Sequence, residues 1–257
     1  TGIATTNYFL GPVQNVTIGG TGEGEGNEIA GHMRTGVQVA NTFTGVGISG
    51  NSIHDNGALG IDLITSAFAE GVTLNDPADS DTGANGLQNF PVLASVLAAG
   101  SGVTVIGTLA SAPLTSFSVE VFASASCDPS GYGEGERFLG TLKVTTDSSG
   151  AATFDEFLAA PVEPGEFVTA TATRSVTRDT SEFSACVVAI GPACLADFNA
   201  DGIVNSTDVS DFINAWFEDQ VMGTLVADWD HNGIVNSTDV SEFINSWFED
   251  TAAGCGG

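Results

Sequence analysis

Asp197-Phe198-Asn199-Ala200-Asp201-Gly202-Ile203-Val204-Asn205-Ser206-Thr207-Asp208 returns 31 residues later as Asp228-Trp229-Asp230-His231-Asn232-Gly233-Ile234-Val235-Asn236-Ser237-Thr238-Asp239. In each copy, oxygen-bearing side chains stand at loop positions 1, 3, 5, 9 and 12, with glycine at 6 and a main-chain carbonyl available at 7. Donors that are all oxygen, alternating along a loop, suit a hard cation of flexible coordination. Calcium fits that description, whereas magnesium tends to keep its waters. Copy one predicts the ligands Asp197, Asn199, Asp201, the Ile203 carbonyl, Asn205 through water, and Asp208. Copy two predicts Asp228, Asp230, Asn232, the Ile234 carbonyl, Asn236 and Asp239. Gly202 and Gly233 permit the sharp turn that brings both loop ends to the ion. Two calcium ions are therefore expected.

After each loop the apolar residues follow helical spacing: Val209, Phe212, Ile213 and Trp216 in copy one, and Val240, Phe243, Ile244 and Trp247 in copy two. Each set is the buried stripe of a helix. Position 12 is Asp rather than the Glu of an EF-hand, no helix precedes the loop, and the loop–helix unit is duplicated. In these features residues 194–255 resemble a type I dockerin. The resemblance implies a protein partner, a cohesin-like receptor, facing loop positions 10 and 11 and the first helical turns. Those positions are Ser206, Thr207, Ser237 and Thr238, and identical pairs would present one face in two orientations. Asp211 and Glu242 stand where many dockerins carry Lys or Arg, so a receptor surface is expected to be basic or bridged by calcium.

Residues 1–74 are rich in Gly and Asn. Gly26-Asn27-Glu28-Ile29 recurs as Gly50-Asn51-Ser52-Ile53, and Gly36-Val37-Gln38-Val39 as Gly60-Ile61-Asp62-Leu63, both offset by 24 residues. Short strands broken by Gly and Asn at a fixed period predict a right-handed parallel β-helix. The segment resembles the last rungs of secreted bacterial β-helix proteins. Fewer than three rungs are visible, so further rungs before Thr1, or a neighbouring chain or domain, would have to cover the open end.

Residues 75–91 form an acidic connector. Asp76, Asp79 and Asp81 could wrap a third cation, or simply cap turns. Residues 92–190 alternate with period two, as in Val103–Gly107, Phe117–Phe122, Phe138–Val144 and Phe167–Thr173, with turn signals such as Asp147-Ser148-Ser149-Gly150 between them. About seven strands in a hundred residues predict an immunoglobulin-like β-sandwich. Gly133-Glu134-Gly135-Glu136 and Ser181-Glu182-Phe183-Ser184 resemble sandwich modules that follow β-helices in secreted bacterial proteins. The fold class expected is thus mainly β and multidomain, with a small helical calcium module at residues 194–257.

Charge bounds the function. The 257 residues carry 32 acidic side chains against 5 basic ones, a net charge of −27. Nucleic acid and anionic membranes are not expected partners, because both demand Lys and Arg. No apolar run is long enough to span a bilayer. Cys127, Cys186, Cys194 and Cys255 lack the C-x-x-C spacing of a zinc site. An even count suits an exported protein with two disulfides, with free buried thiols as the alternative. Of three possible pairings, the domain layout favours Cys127–Cys186 and Cys194–Cys255. Thr1 is not followed by a charged and apolar leader, so a signal peptide is expected to be absent or removed. Isopeptide cross-linking would have to use Lys143, the only lysine. The glycosylation sequon occurs at Asn15, Asn205 and Asn236, the last two better employed as calcium ligands.

Catalysis finds little support. A lyase needs a base and cations, and the rungs offer only Arg34, His32 and His54. A hydrolase needs two facing carboxylates, for which Asp55 and Asp62 are candidates that nothing brings together, and His54-Asp55 reads as a turn. The expected function is a secreted, non-catalytic bacterial structural protein at the cell surface or outside the cell, assembled through its calcium module. The alternatives are a subunit that binds copies of itself in a filament or surface layer, and a fragment of a polysaccharide-degrading β-helix enzyme.

Overall fold

Parallel strands stack at the very offset of the amino-terminal repeat. The computed structural model describes residues 3–5, 14–40, 43–64, 71–99, 101–191 and 194–255, with the backbone alone at 3–5 and 14. Thr1, read above for a leader, lies outside them. Strands β1 (Ile3–Thr5), β2 (Gln14–Gly19), β3 (Glu28–Ala30), β4 (Val37–Val39), β5 (Thr44–Ser49), β6 (Ser52–His54) and β7 (Ile61–Leu63) form three parallel sheets, β1-β4-β7, β2-β5 and β3-β6. Ile29 pairs with Ile53 and Val37 with Ile61, each 24 residues apart. Val16 pairs with Val46 and Ile3 with Val37, so the preceding rung is longer. The surplus on the described side is the turn at residues 21–25, bulging between β2 and β3. Asparagines stack at the rung corners: Asn27 Nδ2 donates to Asn51 Oδ1 (2.8 Å), and Asn51 Nδ2 donates to the Ile18 carbonyl (2.8 Å). The buried Asn51 amide thereby satisfies corner groups that no strand can reach.

The next strands are β8 (Val92–Ala99), β9 (Gly102–Ala110), β10 (Ser116–Ser124), β11 (Arg137–Thr145), β12 (Ala151–Leu158), β13 (Phe167–Arg174) and β14 (Val187–Val188). They form two sheets, β12-β9-β8 and β11-β10-β13-β14, the immunoglobulin-like region. The pairings of β9 with β12, and of β10 with β11 and β13, are antiparallel. Val119, Val121, Val168, Ala170 and Ala172 fill its interior. The turn between β11 and β12 is closed as its sequence predicts, the Asp147 carboxylate accepting from Ser149 N (2.7 Å) and Ala151 N (3.0 Å). A Cys127–Cys186 disulfide ties its loops.

Rungs and sandwich share one core. Ile29, Val37, Val46, Ile53, Ile61 and Leu63 pack in a single buried cluster with Phe122 and Phe183 of the antiparallel region. The approach is close at Gly135, where a Cβ would lie 2.7 Å from Phe122 and 2.8 Å from Phe183. A last rung also leaves main-chain N–H groups that another rung would have accepted. Here other parts of the chain accept them. Gly45 N donates to Asp179 (2.6 Å), Val46 N to Asn85 (3.0 Å), Ile48 N to Thr180 (2.9 Å) and Gly50 N to Glu120 (2.8 Å). Ile53 N donates to the Gly135 carbonyl (2.8 Å), Asn56 N to Glu134 (3.2 Å) and Leu63 N to Glu182 (2.8 Å). The sandwich and the connector before it are therefore the cap of this end of the solenoid.

Asn85 does most for its size. Beyond accepting from Val46 N, its Nδ2 donates to the carbonyls of Val46 (2.8 Å) and Thr180 (2.9 Å). Asn85→Ala would strand three buried main-chain groups, and is expected to destabilise this unit by about 2–4 kcal/mol in urea unfolding.

The described residues fall into two compact units, one from residues 1–96 and 102–189, the other from 97–101 and 190–257. In the second, α1 (Ser206–Met222) and α2 (Ser237–Ala253) follow the two repeated loops. Among the described residues no helix is long and apolar enough to cross a membrane.

Candidate functional site

Both helices start for the same local reason. Asn205 and Asn236 are N-caps, their side chains accepting from Thr207 N (2.7 Å) and Thr238 N (2.8 Å). Asp208 and Asp239 answer by accepting from Asn205 N and Asn236 N (2.8 Å each), completing a capping box. Both helices end on a left-handed glycine, Gly223 and Gly254.

The loops wrap alike. Asp197 accepts from Asp201 N (3.0 Å) and Gly202 N (2.8 Å), as Asp228 accepts from Asn232 N (3.1 Å) and Gly233 N (2.8 Å). The buried Asp208 and Asp239 reach back across their loops, to Asn199 N (3.3 Å) and to Trp229 N (2.8 Å) and Asp230 N (3.3 Å). Gly202 and Gly233 take φ of +88° and +85°, the left-handed turn the repeat required. Burial opposes ionisation of Asp239, yet its main-chain donors outweigh it and hold the carboxyl below the ordinary range. Asp228, Asp230 and Asp239 each aim one oxygen so that all three lie within 4.8 Å of one another.

This donor set fits calcium. Carboxylates crowd together, and the sequence supplies no Lys or Arg between residues 194 and 257 to balance them. A bound ion would supply that charge, held by the ligands the spacing predicts. Among those, Asn205 and Asn236 have a second task as caps, and their Nδ2 groups donate to the Ile203 (3.2 Å) and Ile234 (3.1 Å) carbonyls.

The two halves interlock by exchange. Trp216 Nε1 donates to the Asn236 carbonyl (2.9 Å), and Trp247 Nε1 to the Asn205 carbonyl (2.9 Å). Asp219 accepts from Ala227 N (2.7 Å), at the entry to loop two, while Asp250 accepts from Ala196 N (2.6 Å), at the entry to loop one. At the centre Phe212 and Phe243 stack with ring centroids 4.1 Å apart and planes 2° from parallel. These reciprocal contacts describe a twofold pseudo-symmetry. A disulfide Cys194–Cys255 clasps the ends of the module.

Pseudo-symmetry repeats an outer surface as well. Ser206 and Thr207, with Ser237 and Thr238, are exposed. Thr207, Ser210, Asn214 and Phe217 continue down α1 as one exposed stripe, matched on α2 by Thr238, Ser241, Asn245 and Phe248. The two phenylalanines are each 61% exposed. The aromatic at the foot of each stripe had not been singled out from sequence. Its signal was the repeat itself, since Trp-Phe-Glu-Asp recurs in the last two turns of both helices.

The connector combines both of its readings. Asp76 caps a turn by accepting from Ser80 N (3.1 Å), and Asp79 accepts from Asn89 N (3.0 Å), Ser111 Oγ (2.7 Å) and Arg174 Nη2 (3.1 Å). Asp76, Asp79 and Asp81 nonetheless bring one oxygen each within 4.8 Å, a second acidic cluster compatible with a cation. Burial first, then the neighbouring carboxylates, push Asp81 above the ordinary range. Of the catalytic candidates, His54 Nδ1 lies 2.9 Å from Asp55 within the turn, and Asp62 is buried while Asp55 is exposed. Asn15 is exposed.

Residues 195–246 match the dockerin type I domain, spanning both loops, all of α1 and the first part of α2. No curated protein matches the chain. A dockerin-type calcium-binding module for protein–protein interaction is therefore present at the carboxyl end.

Proposed function

We propose, from the dockerin type I module at residues 195–246, that this chain is a secreted, non-catalytic structural protein anchored or assembled outside a bacterial cell by calcium-dependent docking. The observation that carries the reading is the duplicated stripe Thr207, Ser210, Asn214 and Phe217, repeated as Thr238, Ser241, Asn245 and Phe248, exposed on both helices. Each stripe sets one exposed aromatic anchor among small hydroxyl and amide groups, and aromatic side chains are enriched at interfaces. Asp211 and Glu242 flank them, so the partner is a cohesin-like protein with a basic rim. Two disulfides suit an oxidising exterior. Asp197, Asn199, Asp201 and Asp208, with Asp228, Asp230, Asn232 and Asp239, hold the two ions that fix the helices. A third ion belongs at Asp76, Asp79 and Asp81.

Two equivalent faces make a sharp test. Binding to a panel of cohesin domains is measured by calorimetry in calcium. Thr207→Arg or Thr238→Arg alone is expected to change affinity by about twofold, because the other face still serves, while the double variant loses binding. Both positions being exposed, folding is not at stake. Loss from either single variant would contradict two equivalent faces. Calcium-dependent growth of the chain alone in light scattering, without any cohesin binding, would favour a self-assembling subunit instead.

A further inference from the structure

The seam between rungs and sandwich is closed by glutamates that have no cationic partner. Glu182 is 2% exposed, and its two oxygens accept from Leu63 N and Thr73 N (2.8 Å each). Glu120 is 3% exposed and accepts from Gly50 N and the Ser49 hydroxyl. Glu134 accepts from Asn56 N and Asn56 Nδ2 (2.7 Å). Among the described residues none of the three forms an ion pair. Most of the charges around them are negative. Asp62 of β7 acts on Glu182, while Arg178, exposed, and Asp179 precede it on the same loop. Asp55 and Asp128 act on Glu134, and His54 and Glu136 line the same cavity of about 230 Å³. Glu120 lies on β10 between Thr141 and Thr171, with the exposed Lys143 two residues along β11.

We propose that closing this seam takes up protons, so that the contact between solenoid and cap is fastened by acid and loosened as the medium turns alkaline. A carboxylate shut away from water, beside other carboxylates and without a cation, favours its neutral form. Burial, then Asp62, pushes Glu182 from 4.5 up to about 7, and burial likewise raises Glu120 and Glu134. The folded value lies above the unfolded one, so the folded chain binds more protons. The resulting stability is complete below about 4.5 and is lost as pH rises through about 7. His54, raised mainly by its bond to Asp55, adds a slope of the same sign.

The test is unfolding of the full chain in saturating calcium between pH 5.5 and 8.5. Far-ultraviolet dichroism of the β signal follows the first unit. All three tryptophans lie in the second unit, so their fluorescence reports that unit separately. The folding equilibrium of the first unit is expected to weaken by about 30-fold over this range through Glu182 alone. Glu182→Gln, neutral at every pH, is expected to remove the Glu182 share of that slope and leave the contributions of Glu120, Glu134 and His54. A wild-type equilibrium that is constant or strengthens with pH, or a Glu182→Gln protein that keeps the full slope, would overturn the proposal. Should Glu182→Gln not fold, ¹³C-carboxyl titration of wild-type glutamates decides. A buried glutamate titrating near 7 supports the latch, and all glutamates titrating at ordinary values defeat it.

Discussion

Phe212→Ala is expected to remove about 3–5 kcal/mol from the carboxyl-terminal unit, and Phe243→Ala the same. Each ring is fully buried and touches the other face to face, with Trp229 edge-on to both rings. Truncating one leaves a cavity at the pseudo-twofold axis, where neither half can close in without breaking the tryptophan and aspartate exchanges around it. Because the two sites share that cavity, the double variant should cost less than the sum of the singles. Tryptophan fluorescence in urea reads the effect without interference from the first unit. Phe217→Ala is the control: exposed, it should shift stability by no more than about 0.5 kcal/mol. Equal losses at Phe212 and Phe217 would mean that the stacked pair is not the centre of this module.

The second large effect is at the buried loop-closing carboxylates. Asp239→Ala deprives Trp229 N, Asp230 N and Asn236 N of their acceptor, undoes the capping box of α2 and takes a ligand from loop two. Leaving those donors unmet in a buried site is expected to cost about 3 kcal/mol or more even before calcium is considered. Asp208→Ala should cost somewhat less, since Asp208 accepts from Asn199 N and Asn205 N only. Unfolding in chelator, where ion binding cannot contribute, measures this structural share. If Asp239→Ala matters only when calcium is present, the carboxylate acts as a ligand and not as a brace.

How much of this was legible follows from distance along the chain. The calcium loops, the helix stripes and the 24-residue register are written in residues that act on near neighbours or on their own repeat, so spacing alone exposes them. The exchange contacts were half legible: Trp216 and Asp219 recur as Trp247 and Asp250, but repetition does not say that each reaches the opposite half. The seam was not legible. Glu120, Glu134 and Glu182 meet main-chain groups of residues 50, 56 and 63, and an acceptor for a backbone N–H carries no pattern of its own. Gly133–Glu136 and Ser181–Ser184 resemble sandwich modules that follow β-helices, but that likeness does not say that both supply parts of the cap. The open end anticipated from the short repeat is, on this side, closed by the chain itself.

Calorimetric titration of calcium into the chelator-stripped full chain, with tryptophan emission followed in parallel, tests the central claim most directly. Two loops with oxygen donors and no balancing cation predict at least two ions bound. They also predict burial of Trp216, Trp229 and Trp247 and a gain in helix as α1 and α2 lock together, with the β signal of the first unit unchanged. A third ion would belong to Asp76, Asp79 and Asp81. Absence of heat, with tryptophan emission the same before and after calcium, would contradict a calcium-built docking module at this end of the chain.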